Sequence, residues 1–503
     1  MRRIAAVAAC LLATATAIAV PPDRADLAAA YVRIDRLAQR LPKTPENRVA
    51  LNKGFDGLTD EFFAGLFSRA LTALANLETD VLGLAPQARE ELLYLLGHRF
   101  VLTPRVMTAG LDAETCITLS AVPLDGMAEG SQPVAAVFLA GPVRFEVPYQ
   151  RELSVLLPAK MHEGPIDLFL MFESLGDIPV GKTYSLHGGL EGRSASITKR
   201  LAALETAGAL DASSLASLKA RAALLSQDAN RAQSASFLAD IPALAAAVEQ
   251  ELTEAEAGRR PYAKRGEIWR VYRALGIDLP TRQFCPDGEG PFPLVVALHG
   301  AGGDENMFFD GYGDGTLAKL AHERTFALVS PPTIPFSISP KLLERFLDEV
   351  ARDLPIDRSR VLLVGHSMGA MAASRLAVGS EPLVAGAACI AGFSDGARDR
   401  SAAPRAVYLA ELDPIFAADR MRATVEAAKE RGLAIEVEEI EGEGHTLVVD
   451  QVLPAAIDWL LARPARTTAT VKPTASAPST SPMNTDGPAP APSESKPSAG
   501  PRK

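Results

Sequence analysis

Ten consecutive residues, Val361-Leu362-Leu363-Val364-Gly365-His366-Ser367-Met368-Gly369-Ala370, constrain this chain more than any other stretch. The four apolar residues at the start read as a strand buried on both faces, and the alanine-rich run after Gly369 reads as a helix. Between them the backbone must turn sharply, and glycine stands on either side of the Gly365-x-Ser367-x-Gly369 core. A turn that tight forces its central residue into a strained conformation and leaves no room for a Cβ beside it. The serine would then project above the end of the sheet. The bare pattern also occurs as a plain structural turn; the strand before it and the helix after it point to a nucleophile.

A strand buried on both faces needs neighbours and a helical layer on each side. Apolar runs at Pro293 to Leu298, Phe326 to Val329, Val384 to Ile390, Val407 to Leu409 and Ile435 to Ile440 alternate with helical patterns such as Lys341 to Asp353 and Asp419 to Arg431. This order predicts an α/β fold, a doubly wound, mostly parallel sheet, over residues 260–463.

A serine hydroxyl is a weak nucleophile until a base takes its proton. Of seven histidines, only His445 follows the last expected strand, in Glu441-Gly442-Glu443-Gly444-His445-Thr446. His366, inside the turn, is expected to point away from the base position, and His98, His162 and His187 lie in other regions. The acid that fixes the imidazole tautomer should follow a strand between Ser367 and His445. Asp413 in Leu412-Asp413-Pro414 meets that demand; Asp395 is the competitor, Asp419 is better placed to begin a helix, and an Asp-Pro pair also caps turns. Acyl transfer further needs backbone donors for an oxyanion. The glycine-rich His299-Gly300-Ala301-Gly302-Gly303-Asp304 supplies one, the Ala301 amide or a glycine beside it, and the Met368 amide supplies the other. Gly300, Gly302, Phe308 and Ile415 are candidate substrate contacts, with Met307, Phe309, Tyr312, Pro414 and Phe416 as further pocket walls. The glycines do not form a phosphate loop, since G-x-x-x-x-G-K-[ST] is absent.

These motifs, Leu298-His299-Gly300-Ala301-Gly302-Gly303, Pro355 to Val361 leading into Gly365-His366-Ser367-Met368-Gly369, Leu412-Asp413-Pro414 and Gly444-His445, resemble the polyhydroxybutyrate depolymerase and feruloyl esterase-like branch of the α/β-hydrolases. The resemblance implies an ester substrate, a secreted role and a triad of Ser367, Asp413 and His445. Depolymerase-type sequences often carry Cys where this chain has Ala301, so specificity for a polymer is not implied.

The remaining sequence sets the frame. Residues 1–19 read as an export signal, with Arg2 and Arg3, an apolar run and Ala17-Ile18-Ala19 as cleavage site, which implies a secreted or periplasmic protein. A looser reading makes Cys10 a lipid-bearing residue. Residues 20–99 read as helical, 100–190 as a β-rich, sandwich-like region, 191–259 as a helical connector and 464–503 as a Pro/Ala/Ser/Thr-rich tail without a core. No later run is long enough to span a membrane, and a net charge of −10 speaks against nucleic acid. No C-x-x-C pair and no H-E-x-x-H helix occurs, so neither metal nor cofactor is expected, and oligomeric state has no signature. Two other functions fit the same residues: a secreted peptidase of prolyl-oligopeptidase type, which lacks support from any propeller repeat, and a cell-surface binding protein with a vestigial hydrolase site.

Overall fold

The computed structural model of the chain describes residues 19–466, apart from 43, 109–113, 142, 158, 160–161, 188, 227–239, 379–382 and 396–402. The expected export signal up to Ile18 and the expected tail beyond Arg466 lie outside the described residues.

Among the described residues, five helices come first: α1 (Arg24–Arg40), α2 (Pro45–Asp56), α3 (Thr59–Phe63), α4 (Phe67–Leu82) and α5 (Pro86–Leu96). Their starts and stops are written in the sequence. Asp23 caps α1 reciprocally with Asp26, Thr44 caps α2 ahead of Pro45, and α4 stops at Gly83, which takes a left-handed φ of 59°. The apolar faces of α1, α2 and α4 meet in one cluster containing Ile34, Leu51, Phe55, Leu71 and Leu74, which also holds Leu447 from the far end of the chain, while Leu92 and Leu96 of α5 pack on Ala75 of α4.

The strands β1 (His98–Thr103), β2 (Val106–Thr108), β3 (Thr115–Pro123), β4 (Ala135–Ala140), β5 (Val143–Pro148), β6 (Glu152–Leu157), β7 (Gly164–Phe172) and β8 (Gly176–Leu186) come next. They form one sheet ordered β1-β3-β6 and another ordered β2-β8-β7-β4-β5. Inward residues alternate along β3 and β7, so Ile117 and Leu119 from one sheet share a core with Phe138, Leu168 and Leu170 from the other. Helices α6 (Gly189–Thr206), α7 (Ala212–Ala223) and α8 (Ile241–Glu256) then join the sandwich to the C-terminal region. Leu201, Leu218 and Val248 pack with Tyr184 of β8 and with Ile268 and Trp269, and a buried Arg221–Glu251 pair at 3.0 Å lies among them.

The C-terminal region contains β9 (Gly266–Ala274), β10 (Ile277–Cys285), β11 (Phe292–Leu298), α9 (Tyr312–Arg324), β12 (Ala327–Ser330), α10 (Thr333–Ile338), α11 (Pro340–Asp353), β13 (Ile356–His366), α12 (Met368–Leu376), β14 (Gly386–Ile390), β15 (Arg405–Ala410), α13 (Ala418–Glu430), β16 (Ile435–Ile440) and α14 (Val448–Leu461). The sheet order is β16-β15-β14-β13-β11-β12-β10-β9; β9 and β10 pair antiparallel, as do β10 and β12, and the remaining pairs are parallel. Successive residues of one strand serve opposite layers. Leu294, Val296 and Leu363 pack with Leu343, Phe346, Ala373 and Val425 of α11, α12 and α13, while Val295, Ala297, Leu362 and Val364 pack with Leu317, Ala321, Val452 and Ile457 of α9 and α14. A mostly parallel sheet covered on both faces is therefore present, as the apolar runs require. Because β11, β13, β15 and β16 run the same way, the loops at their C-terminal ends converge on one edge.

The N-terminal helices are tied to that edge. Arg48 of α2 reaches Glu443 at 2.6 Å, the Leu447 carbonyl at 2.6 Å and Asp450 at 2.8 Å, and Asn52 donates to the Gly442 carbonyl at 2.9 Å. Both carboxylates are almost wholly buried beside one guanidinium. Arg48→Ala leaves two buried negative charges without their cation and should cost about 3 kcal/mol, read as a lower denaturant midpoint.

Candidate active site

Strand β13 runs straight into the turn that carries Ser367, whose backbone sits at φ 55°, ψ −118°, a region that non-glycine residues rarely enter. The glycines beside it are steric necessities. A Cβ on Gly365 would overlap the Gly369 carbonyl, and one on Gly369 would overlap the Leu298 carbonyl at the end of β11. Gly392 is equally constrained, since a Cβ there would lie 2.6 Å from the Ser367 carbonyl oxygen. The Ser367 amide donates to the Ile390 carbonyl at 2.9 Å, which ties the turn to the end of β14.

His445 follows β16 in the loop ahead of α14, and its Nε2 lies 3.0 Å from the Ser367 hydroxyl. Its Nδ1 lies 2.8 Å from Oδ2 of Asp413, in the loop after β15, and all three side chains are buried. The other Asp413 oxygen accepts the amides of Ile415 and Phe416 at 2.8 and 2.9 Å. The turn-capping role expected of an Asp-Pro pair and contact with the imidazole are thus both present in one side chain. Burial alone would raise the Asp413 carboxyl, but the hydrogen bond from His445 and those amides hold it below the ordinary carboxylate range. An ionised Asp413 accepts Nδ1–H, which leaves the Nε2 lone pair facing the serine proton. Asp395 is elsewhere: it pairs at the surface with Arg431 at 2.6 Å.

His366 does not point away from the base as expected. Its Nε2 lies 2.9 Å from the His445 carbonyl and its Nδ1 2.8 Å from the Tyr312 hydroxyl. Burial, together with the neighbouring His445, pushes the His366 imidazole down to about 3, so it stays neutral. One ring nitrogen then donates to the carbonyl and the other accepts from Tyr312, whose oxygen in turn receives the Gly300 amide at 3.3 Å. His299 shapes the same loop by accepting the Thr333 amide at 3.2 Å.

A pocket opens over Ser367 and His445, walled on the sheet side by Gly300, Ala301, Gly302, Gly303, Tyr312 and Ile415. Phe308 is not part of it. That ring is fully buried in the layer between the sheet and α9, 4.8 Å from the Tyr312 ring, and its neighbour Met307 reaches the pocket instead. Phe309 is likewise core, beneath the Arg282 guanidinium. The Met368 amide opens α12, where no preceding turn supplies a carbonyl acceptor. Asp56, at the end of α2, accepts the His445 amide at 3.1 Å, a contact for which the sequence holds no signal. Burial raises its carboxyl to about 6, against the pull of that amide. Among the described residues no group of His, Cys, Asp and Glu side chains is arranged to hold a metal ion.

The family model described as the alpha/beta hydrolase family matches residues 295–490. The described residues of this region have the alpha/beta hydrolase fold. A curated relative, Esterase EstD of Thermotoga maritima, is 34% identical over 113 residues, which cover 20% of this chain and 27% of the relative, so the chain matches only about a quarter of that protein's length. Among solved structures, S-formylglutathione hydrolase of Staphylococcus aureus is 15% identical, with a TM-score of 0.34, over 39% of this chain and 98% of that one. The feruloyl esterase module of Clostridium thermocellum is 12% identical, with a TM-score of 0.33, over 41% and 93%. Within the alpha/beta hydrolase domain the turn at Ser367 has no slack. Gly369→Ala should therefore either prevent folding or pull the serine away from His445, and a circular dichroism melt beside a fluorophosphonate labelling assay checks it, intact melting with full labelling being the contrary result.

Proposed function

We propose that the chain is an exported serine hydrolase that cleaves carboxylic esters through an acyl-enzyme on Ser367. The observation that carries this reading is the unbroken path from Asp413 through His445 to the Ser367 hydroxyl, with contacts of 2.8 and 3.0 Å, at a backbone turn strained in the way a projecting nucleophile needs.

As the Ser367 oxygen attacks the ester carbonyl carbon, its proton passes to His445 Nε2, and Asp413 stabilises the imidazolium that results. The carbonyl oxygen takes up the negative charge between the Met368 and Ala301 amides. Collapse breaks the ester C–O bond, and the proton held on Nε2 goes to the departing alkoxide, which leaves as the alcohol. Water then repeats the sequence on the acyl-enzyme, gives its proton to His445, and releases the acid and the free serine.

An ester rather than a peptide is favoured by a pocket whose walls above the serine are almost entirely apolar, with little to hold the polar backbone of a peptide. For export, the segment that would remain after cleavage at Ala19 is held from its first residue: the Val20 amide donates to the Pro123 carbonyl at 3.0 Å, and the Val20 carbonyl accepts the Asp125 amide at 2.9 Å. Intact-mass analysis of the exported protein should give a chain beginning near Val20.

Ser367→Ala should abolish turnover of ester substrates and labelling by a fluorophosphonate while the fold survives; residual turnover in a clean preparation, or wild-type protein that never labels, overturns the reading. Peptide turnover without ester turnover would make the enzyme a peptidase. Asp413→Asn should keep the fold and lose kcat by roughly 10⁴-fold with little change in KM, because the amide favours the wrong imidazole tautomer. Asp395→Asn, at an exposed ion pair, should leave turnover within a few fold, and the opposite ranking of the two variants in steady-state kinetics would reassign the acid.

A further inference from the structure

The pocket over Ser367 has two sources. Its lower wall belongs to the hydrolase domain, but its roof is built from Leu27 and Tyr31 of α1, Phe55 of α2, Leu58 and Phe62 around α3, and Leu74 of α4. We propose that the N-terminal helices are the acyl-binding half of the active site, and that they restrict the enzyme to esters of compact apolar acids, with an acyl group about the size of one six-membered ring. This rests on the ester hydrolase reading above and adds a substrate class to it.

The roof is fixed in position. Asp56 accepts the amide of His445 itself, and a Cβ on Gly444 would overlap the Asp56 carboxylate, so α2 lies directly against the loop that carries the base. Arg48 and Asn52 hold the same loop from the preceding turns of α2. On the opposite side the Phe62 ring sits where a side chain on Gly302 would be, with Gly302 at a left-handed φ of 84°. The distance between roof and oxyanion loop is therefore set by close contacts on both sides of the serine, and a bulky substrate cannot open it without breaking them.

Size and polarity then select the occupant. The space amounts to ≈ 170 Å³, and an apolar protein cavity of about 150 Å³ accepts benzene. Each of the six roof side chains presents hydrocarbon or an aromatic ring, as do Ala28 and Phe63 beside them; Arg24 and Thr59 are the polar residues of that lining, and Tyr31 adds a hydroxyl that is buried without a hydrogen-bond partner. The wider cleft alongside, ≈ 780 Å³ between α1 and the Gly302 to Gly311 segment, adjoins the pocket at Arg24, Ala28, Gly302, Gly303 and Met307 and leaves room for the alcohol. The narrow space suits the acyl group, which stays bound through both half-reactions, whereas the alcohol must depart before water enters.

The test uses the full chain and p-nitrophenyl esters from acetyl to dodecanoyl, with the benzoyl ester, beside labelling of Ser367 by a fluorophosphonate. The expected kcat/KM peaks between butanoyl and hexanoyl or at benzoyl and falls by about tenfold or more at dodecanoyl. Phe62→Ala enlarges the pocket and should raise the ratio of octanoyl to butanoyl kcat/KM by about tenfold, while Ala28→Leu, on an exposed position of α1 that lines the same space, should lower it. If the wild type does not label, the hydrolase reading fails. If it labels but its profile is flat or rises to dodecanoyl, or if the ratio moves in neither variant, the roof does not select the acyl group and this proposal is overturned.

Discussion

Gly365 and Gly369 approach each other, and the end of β11, more closely than any side chain allows, and the placement of the other groups at the site depends on that contact. Because Gly369 lies against the Leu298 carbonyl, α12 starts directly behind the end of β11, beside the glycine-rich loop that follows that strand. Because Gly392 lies against the Ser367 carbonyl, the end of β14 closes the turn from the other side. The serine's unfavourable φ is maintained by these neighbours, which offer no alternative packing. Strain of this kind persists only where surrounding structure over-determines it, and two layers of helix on a parallel sheet supply that surrounding.

The loop bearing His445 is governed by a different constraint, the need to satisfy buried polar groups. Its amide is taken by Asp56, its carbonyl by His366, its Nδ1 by Asp413, and its Nε2 faces Ser367, so every polar atom of the residue has a partner, drawn from three separate segments of the chain. A buried ring so held cannot rotate without leaving donors or acceptors unpaired, each at a cost of about 1–3 kcal/mol. The neutrality of His366 matters here. A second imidazolium beside His445 would oppose the positive charge that the proposed mechanism places on that ring, and burial prevents it.

The parts of this architecture legible in the sequence are those with a local steric or chain-order signature. Parallel strands buried on both faces appear as unbroken apolar runs, which is why β11, β14 and β15 can be located within a residue or two, whereas β13 begins five residues before its apolar run and takes in the polar segment from Asp357 to Arg360. The turn glycines declare themselves because no other residue fits, and Asp413 and His445 are singled out by following strands in order after Ser367. Where the sequence misleads, direction is the reason. Met307 and Phe308 are adjacent and equally apolar, and only the path of the turn into α9 decides that one faces the pocket and the other the core. His366 reads as pointing away from the base because its chain neighbours say nothing of the Tyr312 hydroxyl or the His445 carbonyl that receive it.

The N-terminal helices show the deeper limit of reading along the chain. Their periodicity reveals that each has an apolar face, but an amphipathic helix carries the same pattern whether it covers another helix, a sheet or a substrate. What distinguishes α2 is a set of polar residues, Arg48, Asn52 and Asp56, spaced four apart and so aligned on one side of the helix. Such a row would ordinarily be taken for a solvated face. Its partners, Glu443, Gly442 and His445, with the Leu447 carbonyl and Asp450 just beyond them, lie some 390 to 400 residues further on, and they turn the row into an interface. A mixed row of cation, amide and carboxylate that would be neutral in water becomes specific when the opposing loop offers an anion, a carbonyl and an amide to meet them. That complementarity, together with the apolar packing of the same helices on Leu447, sets where their apolar side comes to rest, which is above Ser367.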